Sequence, residues 1–182
     1  MTERVLIARL TRAGLRAVFN ATNNGLQLDL THIALGYAGN AGYVPTGTET
    51  ALRNEFARVA IGGGEYLGDY EILVEGLFEV TAQAWVHEVG VFAGDTLVAV
   101  WSEVNAPLAY KTAGIPLVIG MTLAIGEVPP NALNIVAGGP SVNITIAGPF
   151  AIFAAELIRL QRRATETEKE RVVPIIQNTW YT

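Results

Sequence analysis

A chain of 182 residues can close one hydrophobic core without covalent staples, and this one contains no cysteine. Hydrophobic residues make up 51% and charged residues 16%, which excludes the disordered class and leaves much of the surface neutral. The net charge of -5 argues against nucleic acid, whose phosphates need concentrated Lys and Arg, and the missing thiols exclude a cysteine nucleophile or Cys-rich zinc site.

Met1 to Arg12 mixes charged and apolar residues and lacks the apolar run of a signal peptide, so synthesis in a cytoplasm is expected. From Thr11 to Asn24, Leu15, Val18, Phe19 and Thr22 recur at helical spacing behind a Thr able to cap the N-terminus, and Gly25 stands where a helix would stop. A strand is predicted over Leu26 to Leu35. Gly36 to Gly47 reads as a loop, and Thr48 to Ile61 as either a helical turn or an irregular strand.

After Gly62, Gly63 and Gly64, which read as a flexible turn, the period changes to two. Between Tyr70 and Val80, Glu71, Glu75 and Glu79 fall on one face while Ile72, Val74, Phe78 and Val80 fall on the other, as in a half-buried strand. Further strands are predicted at Ala84 to Phe92, Thr96 to Ser102, Ile115 to Ile125, Ala132 to Ala137 and Ser141 to Ala147, with Gly94 and Asp95 suited to a tight hairpin. No residue from Val128 to Ala155 is charged, yet Pro129, Pro130, Pro140 and Pro149 would break a membrane-spanning helix there.

Beyond Pro149 the spacing of Phe150, Phe153, Leu157, Leu160 and Ala164 fits the a and d positions of a coiled coil, so these residues are the expected oligomer interface. Pro174 ends that helix. The last segment carries Ile175, Ile176, Trp180 and Tyr181, an apolar and aromatic tail suited to anchoring a partner.

Catalytic constellations are not found. His87 and Glu88 begin a zinc-protease pattern, but Val91 stands where the second His ligand is needed, and a strand histidine packed beside Trp85 or Phe92 is the plainer reading. No Lys-Ser or Lys-Thr follows Gly62 to Gly64 and Gly68 to hold a phosphate. Glu71, Glu75 and Glu79 read as the wet side of a strand. No enzymatic activity, metal or cofactor is expected.

Leu10 to Gly14, Thr31 to Gly36, Pro45 to Leu52, Asn54-Glu55, His87 to Phe92, Leu97 to Val100 and Tyr110-Lys111, taken in this order, resemble the N-terminal domain of bacteriophage tail-collar fibre proteins of contractile-tailed phages. The resemblance covers about residues 6 to 147 and implies a threefold virion component fixed to a baseplate, with no catalytic residues. With the composition shift at Pro149 and the helix stop at Pro174, three parts are expected: a β-rich attachment domain over 1–148, an oligomerising helix over 149–173 and a partner-docking tail over 174–182. The expected fold is mainly β with a short N-terminal helix, an antiparallel sandwich or rolled sheet followed by a C-terminal α-helix.

The expected role is that of a homotrimeric piece of the virion tail, made in the host bacterial cytoplasm. It would join a baseplate protein to a second tail fibre protein, binding neither nucleic acid nor membrane. Family members usually continue into a shaft and tip, whereas this chain stops after one helix and a short tail, which favours such a connector. The alternative is a receptor- or carbohydrate-binding module in which Trp85, Trp101 and the tyrosines of the Gly-rich loop stack on sugar rings, although at least one of these tryptophans is expected in the core.

Overall fold

The computed structural model describes residues 6–68, 70–126, 128 and 131–140, all within the unit Met1–Val142. The expected boundary at 148/149, the oligomerising helix, the tail and the strand from Ser141 lie outside the described residues.

The first strand, β1 (Ile7–Leu10), runs directly into helix α1 (Arg12–Asn23). Thr11 adopts extended backbone and its Oγ1 accepts from the Gly14 N–H at 2.9 Å, so the predicted cap is in place. The same hydroxyl donates to the Leu97 carbonyl, fastening the helix start to the sheet. A Cβ on Gly14 would stand 2.5 Å from the Val98 carbonyl oxygen, so only glycine lets the helix lie this close to the strand backbone.

The predicted strand over Leu26 to Leu35 is two strands, β2 (Leu28–Leu30) and β3 (His32–Gly36). They part at Thr31, whose N–H donates to Phe92 O at 2.8 Å. A strap from Tyr37 to Asn54 follows, and of the two readings of the next segment the irregular strand is the correct one, as β4 (Glu55–Ala60). Gly63 and Gly64 are not a turn but the start of β5 (Gly63–Gly68), paired antiparallel to β6 (Glu71–Phe78). In β6 the inward positions Ile72, Val74 and Phe78 are fully buried, as the alternation requires.

The run Ala84 to Phe92 also divides, into β7 (Ala84–Val86) and β8 (Glu88–Ala93), with the His87 N–H turned to Gly36 O at 2.9 Å. Gly94, with φ +57°, makes the predicted tight connection to β9 (Thr96–Ser102). The remaining strands are β10 (Ala109–Lys111), β11 (Leu117–Ala124) and β12 (Leu133–Ile135).

Eight strands form one curled sheet in the order β4-β3-β8-β9-β1-β11-β6-β5. Two small ribbons, β10-β7 and β12-β2, are the other sheets among the described residues. Most pairings are antiparallel, as expected, but β1 pairs parallel to β11 and β12 parallel to β2. The main core fills the inside of the curl around Ile33, Phe78, Val89 and Met121. A second cluster lies on the other face of the central strands, where Tyr43 and Leu52 of the strap cover Ala34, Phe92, Leu97 and Val100. That cover explains why β3, β8 and β9 read as continuous apolar runs: both of their faces are buried.

Candidate functional site

The strap is held by a charged residue in the second layer. Glu88 opens β8 opposite Gly36 on one side and Ser102 on the other, and it is completely buried. Its Oε2 accepts from the Tyr43 hydroxyl at 3.0 Å and the Arg53 N–H at 3.1 Å, and its Oε1 accepts from the Asn54 N–H at 2.9 Å. Three donors from one segment converge on this carboxylate and satisfy it away from water. A Cβ on Gly36 would stand too close to the Glu88 carboxylate, Oε1 and Cδ included, so the glycine makes room for the acid.

Burial, and then the neighbouring Glu88 carboxylate, push the Tyr43 phenol far above its ordinary pKa, which keeps it a proton donor. The Arg53 guanidinium lies 3.6 Å above the centre of the Tyr43 ring. Ser102 adds a further tie, accepting from the Tyr43 N–H at 3.0 Å and donating to His87 O at 2.8 Å.

Further along the strap, Glu49 closes a local turn. Its carboxylate accepts from the Thr46 N–H at 2.8 Å, the Thr46 hydroxyl at 2.9 Å and the Gly47 N–H at 2.8 Å. Partial burial works to raise its pKa, but these hydrogen bonds and one from its own N–H outweigh it, and the carboxyl titrates below the usual range. The turn is pinned to the start of the chain, where the Arg12 N–H donates to Gly47 O at 2.7 Å and Arg9 Nη1 to Pro45 O at 3.0 Å. Between them opens a cleft of about 450 Å³ lined by Arg9, Arg12, Leu15, Thr46 and Gly47 among others, a basic spot on an acidic chain.

The other residues singled out in the sequence are dispersed. His32 lies partly buried in β3 with Nδ1 2.8 Å from the Thr31 hydroxyl. His87 is buried, and among the described residues its Nδ1 has no hydrogen-bond partner. Glu71 is exposed at the start of β6, and Glu75 sits half-buried on the same outer face. Trp101 is in the core at 8% exposure, as expected for one of the pair, whereas Trp85 is 49% exposed. Among the described residues no group of three or more His, Asp or Glu side chains is placed to hold a metal ion, and no helix is long and apolar enough to cross a membrane. Phe150, Phe153, Leu157, Leu160, Ala164, Ile175, Ile176, Trp180 and Tyr181 lie outside the described residues.

Sequence reasoning missed the function of Glu88. The signal was present: a carboxylate within the apolar run from Val86 to Phe92 must be paired once both faces of its strand are covered.

Several stretches with family resemblance, Thr31 to Gly36, Pro45 to Leu52, Asn54-Glu55 and His87 to Phe92, are those joined by the Glu88 and Glu49 networks and by the pairing of β3 with β8. The N-terminal domain of phage tail-collar fibre proteins matches residues 1–128. The chain belongs to the phage tail-collar fibre family. It is therefore a structural protein of the phage tail fibre, and its place is the tail of the virion. No curated protein and no solved structure matches the chain.

Proposed function

We propose that this tail fibre protein fixes a fibre to the baseplate of a contractile-tailed phage, as a homotrimer that passes the connection to a second fibre protein. The observation that carries the proposal is the family match over residues 1–128, which spans nearly all of the described β-rich body and leaves the heptad-like segment beyond it for assembly. In this reading the body, with its strap tied internally at Glu88, Ser102 and the start of α1, is the rigid end that docks. Phe150, Phe153, Leu157, Leu160 and Ala164 form the seam between three chains. Ile175, Ile176, Trp180 and Tyr181 engage the next fibre protein through an apolar anchor.

Light scattering on the full chain is expected to give the mass of a trimer, and a clean monomer at micromolar concentration would overturn the proposal. The double substitution Phe153→Asp and Leu157→Asp should dissociate it, because each chain would bury unpaired charge at the seam. A chain ending at Val173 should keep its baseplate partner in a pull-down and lose the fibre partner.

A further inference from the structure

Trp85 and Tyr110 are directly opposite each other in the β7–β10 ribbon, and both rings stand out of the protein at 49% and 46% exposure. Their centroids are 5.1 Å apart and their planes meet at 64°, so the two rings form an open corner rather than a closed stack. The corner is one wall of a cleft of about 430 Å³, within the range of about 300–1,000 Å³ typical of small-ligand sites. Tyr37 and Phe56 add aromatic surface, and two exposed amide residues, Asn40 and Gln83, also line the cleft.

The backbone supporting Asn40 is costly. Ala38, Gly39 and Asn40 have φ of +44°, +64° and +62°, three consecutive left-handed residues of which two carry a Cβ. The turn is held there by the buried Ala38 methyl and by Tyr37 N–H donating to Asn54 O at 3.0 Å, a bond that continues the network around Glu88. Strained backbone held by its surroundings is a mark of functional positions.

We propose that this cleft binds a neutral carbohydrate. The rings offer flat apolar surface for the C–H face of a pyranose. The amides each donate and accept, as a sugar hydroxyl does, and among the described residues neither amide side chain has a hydrogen-bond partner. A charged ligand finds no counter-charge, because among the described residues no Asp, Glu, His, Lys or Arg lines the cleft. The adjacent Lys111 is buried and gives its ammonium to the carbonyls of Thr112 and Ile115 at 2.6 and 2.8 Å. A purely apolar ligand would leave both amides unpaired, and a polyproline segment, which has acceptors but no N–H donors, would leave the amide oxygens unpaired.

The full chain should be applied to an array of neutral oligosaccharides built from glucose, galactose, mannose and N-acetylglucosamine, and the hits titrated by calorimetry. Binding of at least one is expected, weakened about tenfold or more by Trp85→Ala and by Tyr110→Ala. Gln83→Ala, at an exposed position outside any strand, should also weaken binding and reduce discrimination between epimers, and it keeps the test decisive if loss of a ring disturbs the ribbon. The proposal is overturned if no neutral sugar binds at millimolar concentration, if binding survives all three substitutions, or if a proline decapeptide binds the cleft and sugars do not. The trimer and the baseplate connection stand or fall separately, since neither is read by these titrations.

Discussion

The strap over β3, β8 and β9 and the cleft beside β7 and β10 share the turn at Tyr37 to Asn40, yet they treat polar groups in opposite ways. In the strap, a buried carboxylate receives three donors and every contact is made within the chain. In the cleft, aromatic rings face solvent and two amides have no side-chain partner among the described residues. The first arrangement rigidifies and the second is left open to something outside. Polar chemistry in this body thus divides into groups that hold the fold and groups available to a ligand.

Removing the strap's anchor gives the largest expected effect. Glu88→Ala orphans the Tyr43 hydroxyl and two backbone N–H groups at about 1–3 kcal/mol each, so the loss in a urea titration should be at least about 3 kcal/mol. A loss below about 1 kcal/mol would mean that water replaces the carboxylate and that the strap is not held from within.

Glu49 sharpens the same comparison through pH. Its folded pKa is depressed, so its contribution to stability is fully present above the unfolded carboxyl value of about 4.3 and disappears as pH falls through the lower folded value. Glu49→Gln should therefore lower the melting temperature at neutral pH, and the gap to the parent chain should narrow below about pH 4. A gap that stays constant from pH 7 to about 3 would exclude the carboxylate as its source.

The smallest change is expected at the cleft. Trp85→Ala removes a half-exposed ring, and its stability cost should stay under about 1.5 kcal/mol even where ligand binding is lost. A cost as large as that of Glu88→Ala would assign the ring to the fold and erase the contrast between the two regions.

Much of this fold was legible in the sequence wherever one physical rule acted alone. Helix α1 announced itself by its Thr cap and apolar spacing, and β6 and β9 by alternation or a bounded apolar run. What was not legible depended on long-range partners. Ile7–Leu10 is a strand because it lies between β9 and β11, and Ala109–Lys111 because β7 is beside it; segments of four and three residues carry no readable period. The breaks at Thr31 and His87 arise where an N–H turns to a carbonyl on another strand, which no local propensity encodes. At the candidate sites the sequence offered Trp85 and Trp101 as equals, and only packing separated the exposed ring from the buried one.

The position of β1 has a consequence for synthesis. Among the described residues it is the single strand joining β4-β3-β8-β9 to β11-β6-β5, and one of its two neighbours is Leu117–Ala124. A nascent chain can form the hairpins of either half as they emerge, but the sheet stays in two pieces until residue 124 has left the ribosome and returned to residues 7 and 8. The halves are thus committed to each other late, by the segment that was made first.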